Sequence, residues 1–418
     1  MNRLLLLSIA LFLAISLSAQ ASLDLQTAYE KATAHYPLMQ DQALLGEINR
    51  LQLDLLELSK KPQLIWQSEG TFQSETVNFG ENAPIKVNLP LVNLRSYLEG
   101  RYLIKDGGRR QAQADQIREQ LAVQEAQLQV NTRPVKDQVN EAFFGILLAQ
   151  AQRNVLETTL QDLEIRRAPL EAGVANGVLL ESELTKLEVR QLEVASAMAN
   201  LQSEAAGWYQ VLSALTGMPV DTQTQLVLPD YPPAAFSLQR PEQQLISAQQ
   251  KALLSQQSKI DADLKPTLSA FARAGLGYPN PLNLFDNNVS PYALVGATFS
   301  WNLLDWGKKD LQKQLLTLQA QQLDHQRAAF EQNIQNQEGR FRETIAGLED
   351  QIQRDGAIAG LQGDLLRQLG IQLELGVLTV ADYLNQSNAE QRARQQLALH
   401  RLQRLQVLTR YRSMWGQN

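Results

Sequence analysis

The sequence predicts a mainly α-helical chain with a small β part, laid out as two copies of one design in which long antiparallel coiled-coil hairpins are joined to four short strands. Three observations carry this reading. Proline, aspartate and glycine landmarks recur at fixed separations. Short runs alternate apolar and polar side chains with period two. Each such region leads through Asp-x-Gly into heptad-spaced apolar residues, in a stretch too long for a globular core. Composition permits this without requiring it: 44% of the 418 residues are hydrophobic, but only 6% are aromatic.

Taken in order, the chain opens with MNRLLLLSIALFLAISLSAQA, residues 1–21. A single Arg3, an apolar run from Leu4 to Leu17 and small residues at Ala19 and Ala21 read as a secretory signal peptide. Its removal takes the formal charge from -6 to about -7. No other run approaches the roughly 18 apolar residues of a spanning helix, so any membrane crossing has to be a β-barrel. There is no cysteine, which excludes disulfides, thiolate metal sites and a lipid on an N-terminal Cys. Basic residues form no long block, which argues against nucleic acid as a partner.

The repeat defines two halves, 22–238 and 239–418. Pro37 and Pro241 lie 204 positions apart, as do Pro62 and Pro266. Asp106 and Asp305 lie 199 apart, as do Gly177 and Gly376. One change of spacing between Lys-Pro and Asp-x-Gly implies that a single loop differs by five residues. Each half reads as helix, strand, loop, strand, long helix, turn, helix.

Strands are expected near 63–74 and 267–277, after Lys-Pro, where a helix stops, and over Leu94–Lys105 and Ala293–Leu303. In the second strand Leu94, Ser96, Leu98, Gly100, Tyr102 and Ile104 oppose Arg95, Tyr97, Glu99, Arg101, Leu103 and Lys105. In the fourth, Ala293, Val295, Ala297, Phe299, Trp301 and Leu303 oppose Leu294, Gly296, Thr298, Ser300 and Asn302. One face suits lipid and the other water. The same alternation fits a soluble sheet with one wet face, so a soluble periplasmic coiled-coil scaffold is the competing reading.

After Gly108, apolar residues from Ile117 through Leu128, Val135, Val139, Ala142 and Ile146 to Leu163 follow the spacing of a coiled-coil seam. A helix ending at Gly173 or Gly177 has roughly 65 residues and is roughly 100 Å long. Pro134 inside it predicts a kink. Gly177 and Gly376 supply the left-handed residue where antiparallel helices reverse. At Asp106-Gly107-Gly108 and Asp305-Trp306-Gly307 the chain changes from strand to helix, and glycine relieves the backbone there.

Four strands cannot close a barrel, and open edges in lipid leave backbone groups unpaired. Three copies supply a trimeric 12-stranded β-barrel, continuous with an α-helical barrel of six hairpins.

The leader, LDLQTAYEKATAHYPLM, the matching RPEQQLISAQQ, Lys-Pro before each first strand, the D-x-G junctions, VNEAFFGILLAQ and the G-x5-[DE] turns together resemble the TolC family of outer-membrane efflux proteins. The resemblance spans the whole mature chain and lies in the order and recurrence of the motifs. It implies a homotrimeric channel-tunnel in the outer membrane of a Gram-negative bacterium, surrounded by outer-membrane lipid, with a large periplasmic portion and no N-terminal lipid. The partners it implies are a periplasmic adaptor and an inner-membrane pump or ABC transporter, as in tripartite efflux or type I secretion.

The family's periplasmic constriction carries an acid six residues after the turn glycine and a second three residues later. Here Asp382 fits the first position and Asn385 departs from the second; Glu183 holds the first position in the other half. Three Asp382 carboxylates around one axis repel one another and attract cations. The competing reading makes Asp382 a helix N-terminal residue favoured by the dipole. The turns Gly177-Val178-Leu179 and Gly376-Val377-Leu378-Thr379 are expected to present apolar tips to the adaptor, or else to pack against neighbouring tips. No catalytic arrangement, cofactor fingerprint or metal site is legible: His35, His325 and His400 stand apart, AGLGYPN is followed by no helix, and FDNNVSP lacks EF-hand spacing and reads as an external loop.

Overall fold

The computed structural model describes residues 22–76, 89–231, 237–283 and 285–417. The leader expected at 1–21 lies outside them. In chain order the elements are β1 (Ser22–Asp24), α1 (Leu25–His35), a 3-10 turn (Pro37–Gln40), α2 (Asp41–Leu58), β2 (Gln63–Phe72), β3 (Val92–Lys105), α3 (Arg109–Ala175) and α4 (Glu181–Thr216). There follow β4 (Gln225–Val227), α5 (Pro241–Asp263), β5 (Thr267–Tyr278), β6 (Ser290–Ser300), α6 (Lys308–Glu374) and α7 (Val380–Trp415). Helices α3 and α6 each have 67 residues, and α4 and α7 each have 36. Helix α3 runs on through Pro134 and also through Pro169; each ring removes one amide from the helical ladder.

The chain divides into two compact units, and each draws on both halves of the sequence. One holds Asp41–Gln127 and Glu242–Arg327; the other holds the residues up to Gln40, Leu128–Pro241 and Ala328–Asn418. In the first, four antiparallel strands are ordered β2-β3-β5-β6. Leu64, Trp66 and Phe72 on β2 share a face with Leu94, Leu98 and Tyr102 on β3, with Leu276 on β5 and with Val295 and Phe299 on β6, and this apolar face is exposed. The other face is polar and turned onto itself. Glu99 is buried there, held by Arg101 at 2.6 Å and by Arg273, whose guanidinium also lies over the rings of Tyr97 and Phe271.

The fourth strand ends earlier than its alternation predicts. Ladder pairing stops at Ser300, opposite Thr267, because Pro266 has no amide to continue it and β5 is the only neighbour β6 has among the described residues. Residues 301–303 carry on the apolar alternation without a partner strand.

Both strand-to-helix junctions work through their aspartates. The Asp106 carboxylate accepts the amides of Gly108 at 3.0 Å and Arg110 at 2.9 Å, and the Arg110 guanidinium at 2.9 Å. That of Asp305 accepts the amides of Gly307 at 3.1 Å and Lys309 at 3.0 Å. Each supplies acceptors for first-turn amides that the helix cannot satisfy itself. The two residues after each aspartate are left-handed: Gly107 at φ 70° and Gly108 at 87°, Trp306 at 55° and Gly307 at 79°. Gly107 is further required by space, because a Cβ there would lie 2.8 Å from the Cβ of Lys265. Trp306, at the matching place, is exposed.

The helical unit is cored by heptads. Leu128, Val135, Ala142, Ala149, Leu156, Leu163 and Leu170 follow one another at intervals of seven along α3, and all are buried. Leu187 and Val194 of α4 face the lower part of this stripe, joined by Leu373, Val380 and Tyr383. Burying one such leucine stabilises by about 1.5–3 kcal/mol. The upper part packs α1 and the parallel pair β1–β4, with Tyr29 donating to Asn140 inside it.

Two outcomes are expected. Gly107→Ala should lower the melting temperature of the purified protein more than Gly307→Ala, because both meet a positive φ but only the first meets Lys265. At Asp106, burial opposes ionisation, but the Arg110 and Gly108 amides and the Arg110 guanidinium outweigh it and hold the carboxyl below its usual range. The capping contribution is therefore complete above the ordinary carboxylate range near pH 4 and is lost as pH falls through the lower native value. Asp106→Asn should flatten the acid limb of a far-UV circular dichroism titration; an unchanged limb would assign that transition to other groups.

Candidate functional site at the hairpin ends

Helices α3 and α6 end in the same device. Gly177 at φ 70° sends its amide to the Val174 carbonyl, and the Val178 amide reaches the Gly173 carbonyl at 2.9 Å. Gly376 at φ 71° bonds to Leu373, and Val377 reaches Gln372 at 2.9 Å. Both are Schellman turns, which need a left-handed residue and so favour glycine.

The turn side chains split into two sets. Val178 and Val377 point outward, 76% and 77% exposed. Leu179 and Leu378, expected to be exposed with them, fold back onto the hairpin core. The cause at Leu179 is visible, since its Cδ1 occupies the space where a Cβ on Gly173 would stand, 2.7 Å away. The outward leucine of the first turn is Leu180.

Thr379 caps α7. Its hydroxyl accepts the Asp382 amide at 3.2 Å and donates to the Asp382 carboxylate at 2.6 Å. Asp382 is thus tied to the N-cap residue through both its amide and its carboxylate, and it is exposed, as is Asn385 one turn further along the same face. Glu183 is placed differently: half-buried, it pairs with Lys186 at 2.6 Å, and Leu180 before it offers no side-chain cap. The structure therefore brings Asp382 and Asn385 together on an exposed face and ties Glu183 down.

Sequence reasoning missed a polar clamp joining α3, α6 and α7. The Tyr383 hydroxyl donates to Asp162, and Arg166 lies over the Tyr383 ring at 5.6 Å while pairing with Asp162 at 3.6 Å and with Glu374. Gly370 makes room for it, since a Cβ there would meet the Arg166 guanidinium at 2.7 Å. Beside the clamp a cleft of about 240 Å³ is lined by Thr158, Asp162, Arg166, Ser387, Glu390 and Arg394. Burial pushes the Glu390 carboxyl above the usual carboxylate range, against the pull of Arg394. Burial likewise raises the Tyr383 phenol, and Asp162 adds to the effect. The available signal was polar residues, Ser387 and Glu390, on the inner stripe of α7.

His400 pairs with Asp355 of α6 at 2.5 Å, and the ring of His35 packs over Gly217. Among the described residues no three His, Asp or Glu side chains are grouped as metal ligands would be. Asp286, in the loop expected to be external, accepts from Asn280, Ser290 and Asn288, which hold its carboxyl below the usual range. No described helix is long and apolar enough to cross a membrane.

No protein-family model matches the sequence. No curated protein matches it either. Solved structures do. CusC, known from crystal structures on folding and transmembrane channel formation, superposes with a TM-score of 0.68 at 18% identity, covering 94% of this chain and 92% of that one. The outer membrane protein VceC of Vibrio cholerae gives 0.64 at 15% identity, covering 94% and 96%. The MtrE outer membrane channel of Neisseria gonorrhoeae, in its open state, gives 0.65 at 16% identity, covering 94% and 89%. What they share with this chain is architecture over nearly its whole length: it has the fold of these outer-membrane channels, the one that its resemblance to the TolC family implies.

Proposed function

We propose that the chain is one protomer of a homotrimeric channel-tunnel in a Gram-negative outer membrane. Three four-stranded sheets would form a 12-stranded barrel, and six hairpins, two per chain, would continue it as a periplasmic α-helical barrel. It would conduct substrates passively from a periplasmic adaptor and an inner-membrane pump or ABC transporter to the outside. The observation that carries this reading is a sheet that exposes an apolar face and leaves the outer edges of β2 and β6 without a ladder partner among the described residues. Water penalises the first and lipid the second, so burial in lipid together with sheet closure removes both costs.

At the periplasmic end, Asp382 and Asn385 are exposed one turn apart near the start of α7. Facing a common axis, three copies would make a ring of carboxylates backed by amides, attracting cations. The exposed Val178 and Val377 are the apolar groups at the tips that an adaptor would cover.

In planar bilayers the purified protein should insert and conduct ions, with cations preferred. Asp382→Asn, which keeps an acceptor for Thr379, should lower the cation-to-anion permeability ratio several-fold. A ratio that does not change would place Asp382 away from the narrowest point, and failure to insert would overturn the channel itself. In cells, Val178→Asp with Val377→Asp should abolish export while trimers persist on unheated gels. Wild-type export by that variant would remove the tips from the adaptor contact.

A further inference from the structure

The two hairpins of the sheet have one register. Advancing β2 by 204 positions and β3 by 199 turns the pair Gln63–Arg101 into Thr267–Ser300, and Phe72–Val92 into Leu276–Pro291, which are pairs of β5 with β6. Between the hairpins lies one further seam, β3 with β5, where Arg101 stands opposite Phe271 and Tyr97 opposite Gly275. In a closed ring that places every hairpin alike, as the shared register allows, the seam between chains is the same seam moved on by one hairpin.

We infer that β6 of one copy pairs with β2 of the next in a single register: Ser300 opposite Gln67, Thr298 opposite Glu69, and Gly296 opposite Thr71. The inference rests on the trimer reading above and specifies its interface. Two features of the sheet are consistent with it. The first is facing. In this register Phe299 meets Ser68 and Val295 meets Phe72 on the apolar face, while the polar pairs fall on the other; a slip of one residue exchanges the faces.

The second is length. Strand β3 continues beyond Arg101, where pairing with β2 ends, because β5 covers it at Tyr102, Leu103 and Lys105. The matching residues after Ser300 are Trp301, Asn302 and Leu304, which lie beyond the ladder in the single chain, the first two keeping the strand alternation. The register supplies their partners, Trp66, Ile65 and Leu64. It also brings Trp66 and Trp301, 77% and 54% exposed in one chain, to opposite places on the apolar face.

The chain has no cysteine, so the test needs no background removed. Glu69→Cys with Thr298→Cys, and separately Gln67→Cys with Ser300→Cys, place thiols on directly opposed residues, whose Cα separation suits a disulfide. Oxidised in outer-membrane fractions, both should give covalent dimers and trimers on reducing-agent-free gels. They should do so at least about tenfold more efficiently than Glu69→Cys with Ser300→Cys, which is two residues out of register. Trimers in detergent that crosslink through the out-of-register pair, or through neither in-register pair, overturn the register and leave the channel reading standing. A chain that stays monomeric in detergent overturns both.

Discussion

The hydrogen-bonding demand of the β2 and β6 edges is the constraint on which the rest depends. A backbone group left unpaired in hydrocarbon costs several kcal/mol, far more than one side-chain contact returns. A sheet of ten- to fourteen-residue strands with one apolar face is therefore not a finished object in a membrane. Everything else in the chain is compatible with completing it: the hairpins share one register, the helices that follow are of equal length, and the junctions between them are built alike.

The junctions show how two copies of one device drift apart when their surroundings differ. Both use an aspartate to satisfy first-turn amides and two left-handed residues to change direction. Only the first lies against another connection of its own chain, and there glycine is needed for space as well as for φ. The second is open, and tryptophan has taken the first left-handed place despite the strain that a side chain meets in that conformation. In the proposed channel, a large amphipathic ring beside the end of a barrel strand would suit the interface between lipid and water.

Much of the fold was legible because it is periodic. The heptads of α3, the alternation of β3 and the glycines at the hairpin ends each follow from one local rule, and each element formed where the rule put it. What escaped depends on contacts remote in sequence. The three-residue strands β1 and β4 are too short to show a period and exist by pairing with each other. The end of β6 depends on where its neighbour begins. Leu179 and Leu378 read as exposed because a turn usually is, but both pack back onto the hairpin core, Leu179 over the space left by Gly173. Asp382 was legible as an acid near a helix start, whereas its bonds to Thr379 were not. The Tyr383, Asp162 and Arg166 clamp was missed, since residues 221 positions apart carry no local sign of meeting and only the polar Ser387 and Glu390 on the inner stripe of α7 hint at it.

That clamp has no counterpart in the other half of the sequence. Asp162 and Arg166 correspond, 199 positions on, to Leu361 and Leu365, the former 72% exposed, and Tyr383 corresponds to Leu184. The two hairpin ends of one chain are therefore held differently: polar and ionic contacts join α3, α6 and α7, whereas at the matching positions stand leucines, of which Leu184 packs into the core and Leu361 is exposed. Salt would weaken the ionic contacts and leave the apolar positions untouched, so the repeat in sequence does not carry over into equal resistance of its two ends.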